Sequence, residues 1–154
     1  MEGRQQLFCP IRNQWVAALP EEQVRQRIIR SLIEQKGFPQ ELLSVEKALR
    51  DLACPSQRGS IPDRRIDLAA YCNKGGALMP LLLMECKAVP IRERTISQLV
   101  GYNHFVGAPF LCFVNQTEVR TGWFDPAASG YRYISFLPSY KELVSVSRKH
   151  PPIK

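Results

Sequence analysis

The sequence has no long apolar run, which excludes a membrane-spanning helix as its organising feature. The longest apolar stretch runs from Leu78 to Met84 and is interrupted by Pro80. It is far shorter than the roughly 20 residues that a bilayer helix needs. The N-terminal segment MEGRQQLF also lacks the apolar core of a signal peptide, so we expect a cytoplasmic protein with no membrane partner.

Cysteine and histidine are too few and too scattered for a centre built on sulfur or imidazole ligands. The five cysteines form no Cys-X-X-Cys pair, which favours reduced thiols over a disulfide framework or a zinc site. His104 and His150 do not support a histidine-metal or Ser-His-Asp mechanism. The sequence contains no GxxxxGK[ST] motif, so we expect no nucleotide-driven motor in this chain.

Acidic residues are outnumbered by basic ones. The 154 residues include 21 Lys and Arg against 14 Asp and Glu, a formal net charge of +7. A surface of this kind binds polyanions by releasing their counterions, so the charge favours a nucleic-acid partner. Part of the excess lies in residues 148–154, which contain Pro151 and Pro152 and are expected to form a basic, frayed C-terminal tail.

The hydrophobic pattern predicts a single α/β domain over residues 1–147. Apolar residues at helical spacing follow Pro20 and end at Gly37, and a second helix is expected from about Arg94 to Val106. Strands are predicted at residues 65–71, 78–87, 110–115, 119–124 and 131–136. Residues before Pro20 are expected to be irregular, and residues 42–52 fit either a short helix or a strand.

The tetrapeptide Asn73-Lys74-Gly75-Gly76 predicts a hairpin between the first two of these strands. With the turn centred near Gly76, Tyr71 pairs with Leu81 and Asp67 pairs with Glu85. Alternation along the second strand then places Leu81, Leu83, Glu85 and Lys87 on one face, with Leu82, Met84 and Cys86 on the other. Both faces are apolar, which indicates a buried central strand.

A buried strand that ends in Glu85 and Lys87 must pair or use those charges, because an unpaired buried charge costs several kcal/mol. Asp67, Glu85 and Lys87 are therefore expected to converge at the edge of the core. Two carboxylates suit a hard cation such as Mg²⁺, beside which Lys87 would orient or deprotonate an attacking water. Spacing alone leaves open a purely structural ion pair between Glu85 and Lys87.

An acidic residue, a short hairpin and then Glu-X-Lys resemble the signature of the PD-(D/E)XK nuclease superfamily. More closely, the chain resembles the N-terminal nuclease domain of type I restriction enzyme R subunits. The resemblance is carried by Cys9-Pro10, Pro20 to Gln26, Lys36 to Pro39, Val45-Glu46-Lys47, Arg65 to Leu68, Leu81 to Ala88, Gln98 to Tyr102 and Asn115. It implies a restriction-endonuclease-like fold, with a central mixed β-sheet that contains an antiparallel hairpin and is flanked by helices.

The resemblance also implies roles for individual residues. Asp67 and Glu85 would hold Mg²⁺ or Mn²⁺, with the backbone carbonyl of Cys86 as a further ligand, and Lys87 would serve the water nucleophile. An acidic residue on the first helix would support the metal. Glu21 and Glu22 both qualify, and we favour Glu21 because it lies on the helix arc of the apolar residues.

Further residues are expected around this centre. Gln98 and Tyr102 match a Gln-X-X-X-Tyr motif of helicase-linked nucleases, and Arg25 and Arg65 are assigned supporting or DNA-binding roles. Additional basic residues flank the site in sequence and are candidates for phosphate contacts: Arg58, Arg64, Arg92 and Arg94. Pro62-Asp63 lies outside the hairpin pairing, so we do not assign Asp63 to the site.

The function expected from these residues is that of a stand-alone, Mg²⁺-dependent endodeoxyribonuclease of the restriction-modification type. Its partner would be DNA, with a separate helicase, translocase or specificity subunit and a homodimer as further candidates. The alternative is a catalytically weak or inactive nucleic-acid-binding module of the same fold within a larger complex. A third interpretation is a structural protein in which Glu85 and Lys87 form only an ion pair.

Overall fold

A computed structural model describes residues 5–54 and 60–149, which form two sheets and four helices. The strands are β1 (Gln6–Cys9), β2 (Gln14–Ala17), β3 (Leu43–Ala48), β4 (Arg65–Lys74), β5 (Ala77–Cys86), β6 (Phe110–Val114), β7 (Val119–Asp125) and β8 (Gly130–Ile134). The helices are α1 (Pro20–Glu34), α2 (Leu49–Leu52), α3 (Glu93–Val106) and α4 (Tyr140–Lys149). No helix of the described residues is long and apolar enough to cross a membrane.

The main sheet has six strands in the order β3-β4-β5-β6-β7-β8. Its central pair, β5 and β6, is parallel, and every other neighbouring pair is antiparallel. The chain between β5 and β6 includes α3, as a parallel crossover requires. The separate β1–β2 sheet is a short antiparallel hairpin. The predicted mixed sheet with an antiparallel hairpin and flanking helices is confirmed.

The turn of the β4–β5 hairpin is made by two glycines. Gly75 and Gly76 have φ values of 60° and 85°, which a two-residue hairpin turn of the mirror-image type requires and which glycine adopts without strain. The Gly76 N–H also donates to Asn73 Oδ1 at 3.1 Å. The sequence therefore specifies this turn locally.

The predicted hairpin register is correct near the candidate site and wrong near the turn. Leu68 lies opposite Met84 and Ala70 opposite Leu82, as expected, but Tyr71 lies opposite Pro80 rather than Leu81. Pro80 has no N–H to donate to a ladder and is accommodated at this bulge. Because of the shift, Leu81 packs in the same core cluster as Leu82 and not on the face of Leu83.

The core consists of two clusters separated by the main sheet. One cluster joins Leu32 of α1 and Leu143 of α4 to Met84 of β5. The other joins Leu99 of α3 to Leu83 of β5 and Phe113 of β6. The centre of β5 and all of β6 are buried, which confirms the prediction of a central strand with two apolar faces.

Three regions differ from the sequence-based expectation. Residues before Pro20 are not irregular, because β1 and β2 pair there and place Cys9 and Val16 against the core. Residues 42–52 contain both of the proposed elements, namely β3 followed by α2. Helix α4, which the sequence pattern did not reveal, buries Leu143 and includes Arg148 and Lys149 of the expected tail. Arg58 and residues 150–154 lie outside the described residues.

Candidate active site

Three carboxylates from different elements meet at one edge of the core. Asp67 lies on β4, Glu85 lies on β5, and Glu21 lies in the first turn of α1, which begins at Pro20. One carboxylate oxygen from each residue lies within 4.8 Å of the other two. The structure thus brings together Asp67, Glu85 and Glu21, as the sequence predicts.

The Asp67 side chain ties β4 to the end of β5. Its Oδ2 accepts the Cys86 N–H at 2.8 Å, and its Oδ1 lies 3.6 Å from Arg25 Nη2. Burial raises the pKa of Asp67 above its usual value, although the Cys86 N–H and Arg25 oppose this shift. The carboxylate is therefore held in one position, at a cost in desolvation.

Glu85 and Lys87 form an ion pair at the end of β5, with 3.3 Å between Lys87 Nζ and Glu85 Oε1. Burial and the nearby Asp67 raise the pKa of Glu85 to about 7, against the opposing effect of Lys87. Burial alone would lower the pKa of Lys87, but Glu85 and the other carboxylates raise it above its usual value. Lys87 is consequently an ammonium ion at neutral pH in this arrangement.

Arg25 is the residue that connects the carboxylates of three elements. It is only 5% exposed. Its Nη2 lies 3.0 Å from Glu46 Oε1, its Nη1 lies 3.4 Å from Glu22 Oε1, and it also approaches Asp67. A buried guanidinium with these contacts cannot serve as a surface contact for DNA. Its charge opposes the rise in the pKa of Asp67 that burial causes.

Glu22 is already satisfied by arginines, which explains why Glu21 is the acid that faces Asp67 and Glu85. Glu22 Oε2 accepts from Arg12 Nη2 at 2.7 Å, and its other oxygen faces Arg25. Burial would raise the pKa of Glu22, but the hydrogen bond from Arg12, together with Gln26 and Arg25, lowers it below the usual value. The choice between these two neighbouring acids thus depends on Arg12, ten residues earlier in the chain.

Sequence reasoning gave Glu46 no role beyond its place in a matched segment. It lies on β3 between the pairs Val45–Leu68 and Lys47–Ile66, and so opposite Asp67. Its φ is 55°, a left-handed conformation that is strained for a residue with a side chain. In this conformation Glu46 contacts Arg25, and no local sequence pattern predicts that contact.

The remaining predicted residues form no hydrogen bond or ion pair with the three carboxylates among the described contacts. Gln98 is exposed on α3, whereas Tyr102 is partly buried and packs on the second core cluster. Arg65 is exposed at the start of β4, two residues before Asp67. Asp63 is exposed and is not part of the carboxylate group. Arg64, Arg92 and Arg94 are also exposed.

The donor set fits a hard divalent cation. Glu21, Asp67 and Glu85 offer only oxygen ligands, which Mg²⁺ and Mn²⁺ prefer over nitrogen or sulfur. The crowding that raises the pKa values of Asp67 and Glu85 would be relieved by a bound cation. Among the described residues, the group of potential ligands includes no cysteine or histidine.

The mixed sheet, its hairpin and its flanking helices define a protein of the restriction-endonuclease-like fold class. A family model for the N terminus of the type I restriction enzyme R protein matches residues 20–138. The chain belongs to this family, whose role is restriction-related and nuclease-like and whose enzymes act on DNA with other subunits. The matched range includes Glu21, Asp67, Glu85 and Lys87 but neither β1–β2 nor α4. Neither the curated proteins nor the solved structures give a significant match.

Proposed function

We propose that this chain is a metal-dependent DNA endonuclease that hydrolyses phosphodiester bonds. The observation that carries the proposal is the meeting of Glu21, Asp67 and Glu85 oxygens within 4.8 Å. Lys87 lies beside them, with its ammonium 3.3 Å from Glu85. Membership of the restriction enzyme family supports DNA as the substrate.

Asp67 and Glu85 would hold Mg²⁺ or Mn²⁺ directly, with Glu21 and the backbone carbonyl of Cys86 completing the protein's share of the ligands. Such a cation, when bound, neutralises charge on the phosphate oxygens and makes a water more acidic. Asp67 is pre-positioned for this task because the Cys86 N–H and Arg25 hold both of its oxygens. Arg25 itself stays buried and does not contact the substrate.

Lys87 would orient the attacking water and the scissile phosphate through its N–H groups. Its Nζ lies 3.3 Å from Glu85 Oε1, which places those N–H groups beside the carboxylates that would hold the cation. In an in-line attack, the water oxygen bonds to phosphorus as the bond from phosphorus to the leaving oxygen breaks. The family resemblance implies a product that carries a 5′-phosphate.

A second candidate is a catalytically weak or inactive DNA-binding module within a larger restriction complex. The observation that favours it is the Glu85–Lys87 ion pair, which already neutralises one of the metal-binding carboxylates. The net charge of +7 supports DNA binding under either proposal. A translocase or specificity subunit would be the partner of such a module, and a second copy of the chain would allow two coordinated cuts in a duplex.

Cleavage assays test the nuclease. Supercoiled, linear and single-stranded DNA are incubated with the protein and Mg²⁺, Mn²⁺ or EDTA, and the wild type is compared with Lys87→Ala. Lys74→Ala is the matched control, because Lys74 is exposed at the end of β4 next to the hairpin turn. We expect metal-dependent cutting that Lys87→Ala abolishes and Lys74→Ala retains.

Metal binding provides a separate test that does not require turnover. Calorimetric titration with Mn²⁺ should show binding to the wild type and to Lys74→Ala but not to Asp67→Ala. If no protein cuts DNA while the wild type and Lys87→Ala bind it equally and with strong salt dependence, the chain is the binding module. Absence of both metal and DNA binding would leave only the structural interpretation.

A further inference from the structure

An aromatic pair is displayed on the outer face of the β1–β2 hairpin. Phe8 and Trp15 lie opposite each other, with ring centroids 5.5 Å apart in an edge-to-face arrangement. Phe8 is 44% exposed and Trp15 is 64% exposed, while the next residue on each strand, Cys9 or Val16, packs against the core. The two rings are therefore presented to solvent and do not contribute to the core.

A groove of about 510 Å³ lies between this hairpin and α1. Its polar lining is made of amides and guanidinium groups: Gln5, Gln6, Gln23, Gln26, Arg27 and Arg30. Gln6 shares the outer face of β1 with Phe8, because residues two apart on a strand point the same way. Neither ring lines the groove, but Gln6 belongs both to the groove and to the outer face that carries Phe8.

The charged residues that line this groove are basic, and the same Arg27 and Arg30 also line a neighbouring groove that contains Glu34 and Glu118. Residues 5–19 contain no Asp or Glu. Glu22 is neutralised by Arg12 and Arg25. Arg27 and Arg30 are exposed, and neither forms an ion pair within the described part of the chain. Exposed arginines among amides are suited to phosphate oxygens, which accept hydrogen bonds from both groups.

We propose that Phe8, Trp15, Arg27 and Arg30, here called the hairpin platform, bind single-stranded nucleic acid. The bases would stack on the two rings while the arginines contact the phosphates, the combination that proteins use for unpaired strands. A duplex hides the faces of its bases, so the rings select an unpaired strand. This inference rests on the proposed function, which names DNA as the substrate, and it specifies that the bound strand is unpaired.

The platform is fixed next to the carboxylate site. Arg12 in the hairpin turn pairs at 2.7 Å with Glu22, the neighbour of Glu21. Trp15 and Glu21 are six residues apart, so their Cα atoms lie within about 20 Å of each other. A strand bound to the platform can therefore extend to Asp67 and Glu85. The few exposed apolar side chains here offer much less area than the roughly 800 Å² that each partner buries in a stable protein interface.

Binding of a fluorescein-labelled oligodeoxythymidylate, measured by anisotropy in EDTA, tests this proposal without cleavage. A strand of the same length in which most residues are abasic carries the same phosphates without the stacking surfaces. Trp15→Ala should weaken binding of the thymidylate strand about tenfold and leave the abasic strand unaffected. Trp15→Phe should restore most of the loss. Phe136→Ala removes an equally exposed ring outside the platform and serves as the control.

Substitution of the arginines should give a different result. Arg27→Gln with Arg30→Gln should weaken both strands and reduce the dependence of affinity on salt. Equal effects of Trp15→Ala on the two strands, or tighter binding of a duplex, would overturn the proposal. So would a wild-type dimer in sedimentation that Trp15→Ala dissociates, because the rings would then contact a second copy. The assay is performed in EDTA and therefore measures binding without cleavage. A protein that binds the strand in this assay but never cuts DNA in the cleavage assay would refute the proposed nuclease and leave the platform proposal intact.

Discussion

Replacing Glu85 by glutamine is expected to stabilise the metal-free fold at alkaline pH. Burial and Asp67 raise the pKa of Glu85 from 4.5 to about 7. Between these values the folded protein keeps a proton that the unfolded chain has released, so the free energy of unfolding falls as the pH rises. The whole shift corresponds to about 3 kcal/mol, at about 1.4 kcal/mol for each pKa unit.

This figure already includes the attraction of Lys87, which lowers the pKa that burial and Asp67 raise. The Lys87 side chain is 29% exposed and remains hydrated when its partner is removed, so the pair contributes about 1 kcal/mol or less. The expected net effect of Glu85→Gln is an increase of about 1–3 kcal/mol in the free energy of unfolding near pH 8. Near pH 5 the increase should fall to about 1 kcal/mol or less, and it should vanish below the ordinary pKa of 4.5, where the unfolded chain is protonated as well.

Urea unfolding followed by circular dichroism in EDTA at both pH values measures this difference. Glu41→Gln is the control, since Glu41 is exposed and lies outside the carboxylate group. Saturating Mg²⁺ should then stabilise the wild type and the control but not Glu85→Gln, because only a ligand that binds the folded state shifts the equilibrium. If Glu85→Gln is less stable than the wild type near pH 8, Glu85 is stabilised by its neighbours and the argument from carboxylate crowding is refuted.

Three further substitutions test the support of the site and the fold, each by urea unfolding at neutral pH. Arg25→Ala should lower the free energy of unfolding by about 3–5 kcal/mol, because Asp67 loses its buried countercharge; an unchanged value would mean that Arg25 does not hold Asp67. Phe113→Ala should lower the free energy of unfolding by about 3–5 kcal/mol, since the ring is fully buried between strands and α3. A loss below about 1 kcal/mol would contradict this packing. Gly75→Ala should lower the free energy of unfolding by about 1 kcal/mol, because alanine is disfavoured at the Gly75 φ of 60°. A stabilised variant would exclude the mirror-image turn.

The hairpin that carries Asp67 and Glu85 could be predicted because its signals are local. Gly75 and Gly76 specify the turn, and alternation along each strand specifies which residues lie opposite each other. The register fails beyond Ala70 because the bulge at Pro80 depends on how the sheet accommodates a residue without an N–H. The bulge lies on the turn side of the site, so it leaves the pairing near Asp67 unchanged.

The β1–β2 hairpin and α4 could not be predicted, since their stability comes from docking and not from their own patterns. Each strand of the hairpin has only four residues, and the hairpin is held by the packing of Cys9 and by the Arg12–Glu22 ion pair. Isolated two-stranded hairpins of this kind are only marginally stable in water. Helix α4 likewise depends on Leu143, which packs into the core cluster of α1.

The sequence by itself determined that two acids and a lysine would meet at the end of the hairpin away from its glycine turn, because residue spacing and strand alternation act over short distances. Helix periodicity favoured Glu21 over Glu22, but only the tertiary structure decided that Glu21 completes the group and that Arg25 contacts both Glu46 and Asp67. Those contacts join residues that are far apart in the sequence, on separate elements. Buried charges must be paired because an unpaired buried charge is too costly. No short sequence pattern indicates which residues will form these pairs.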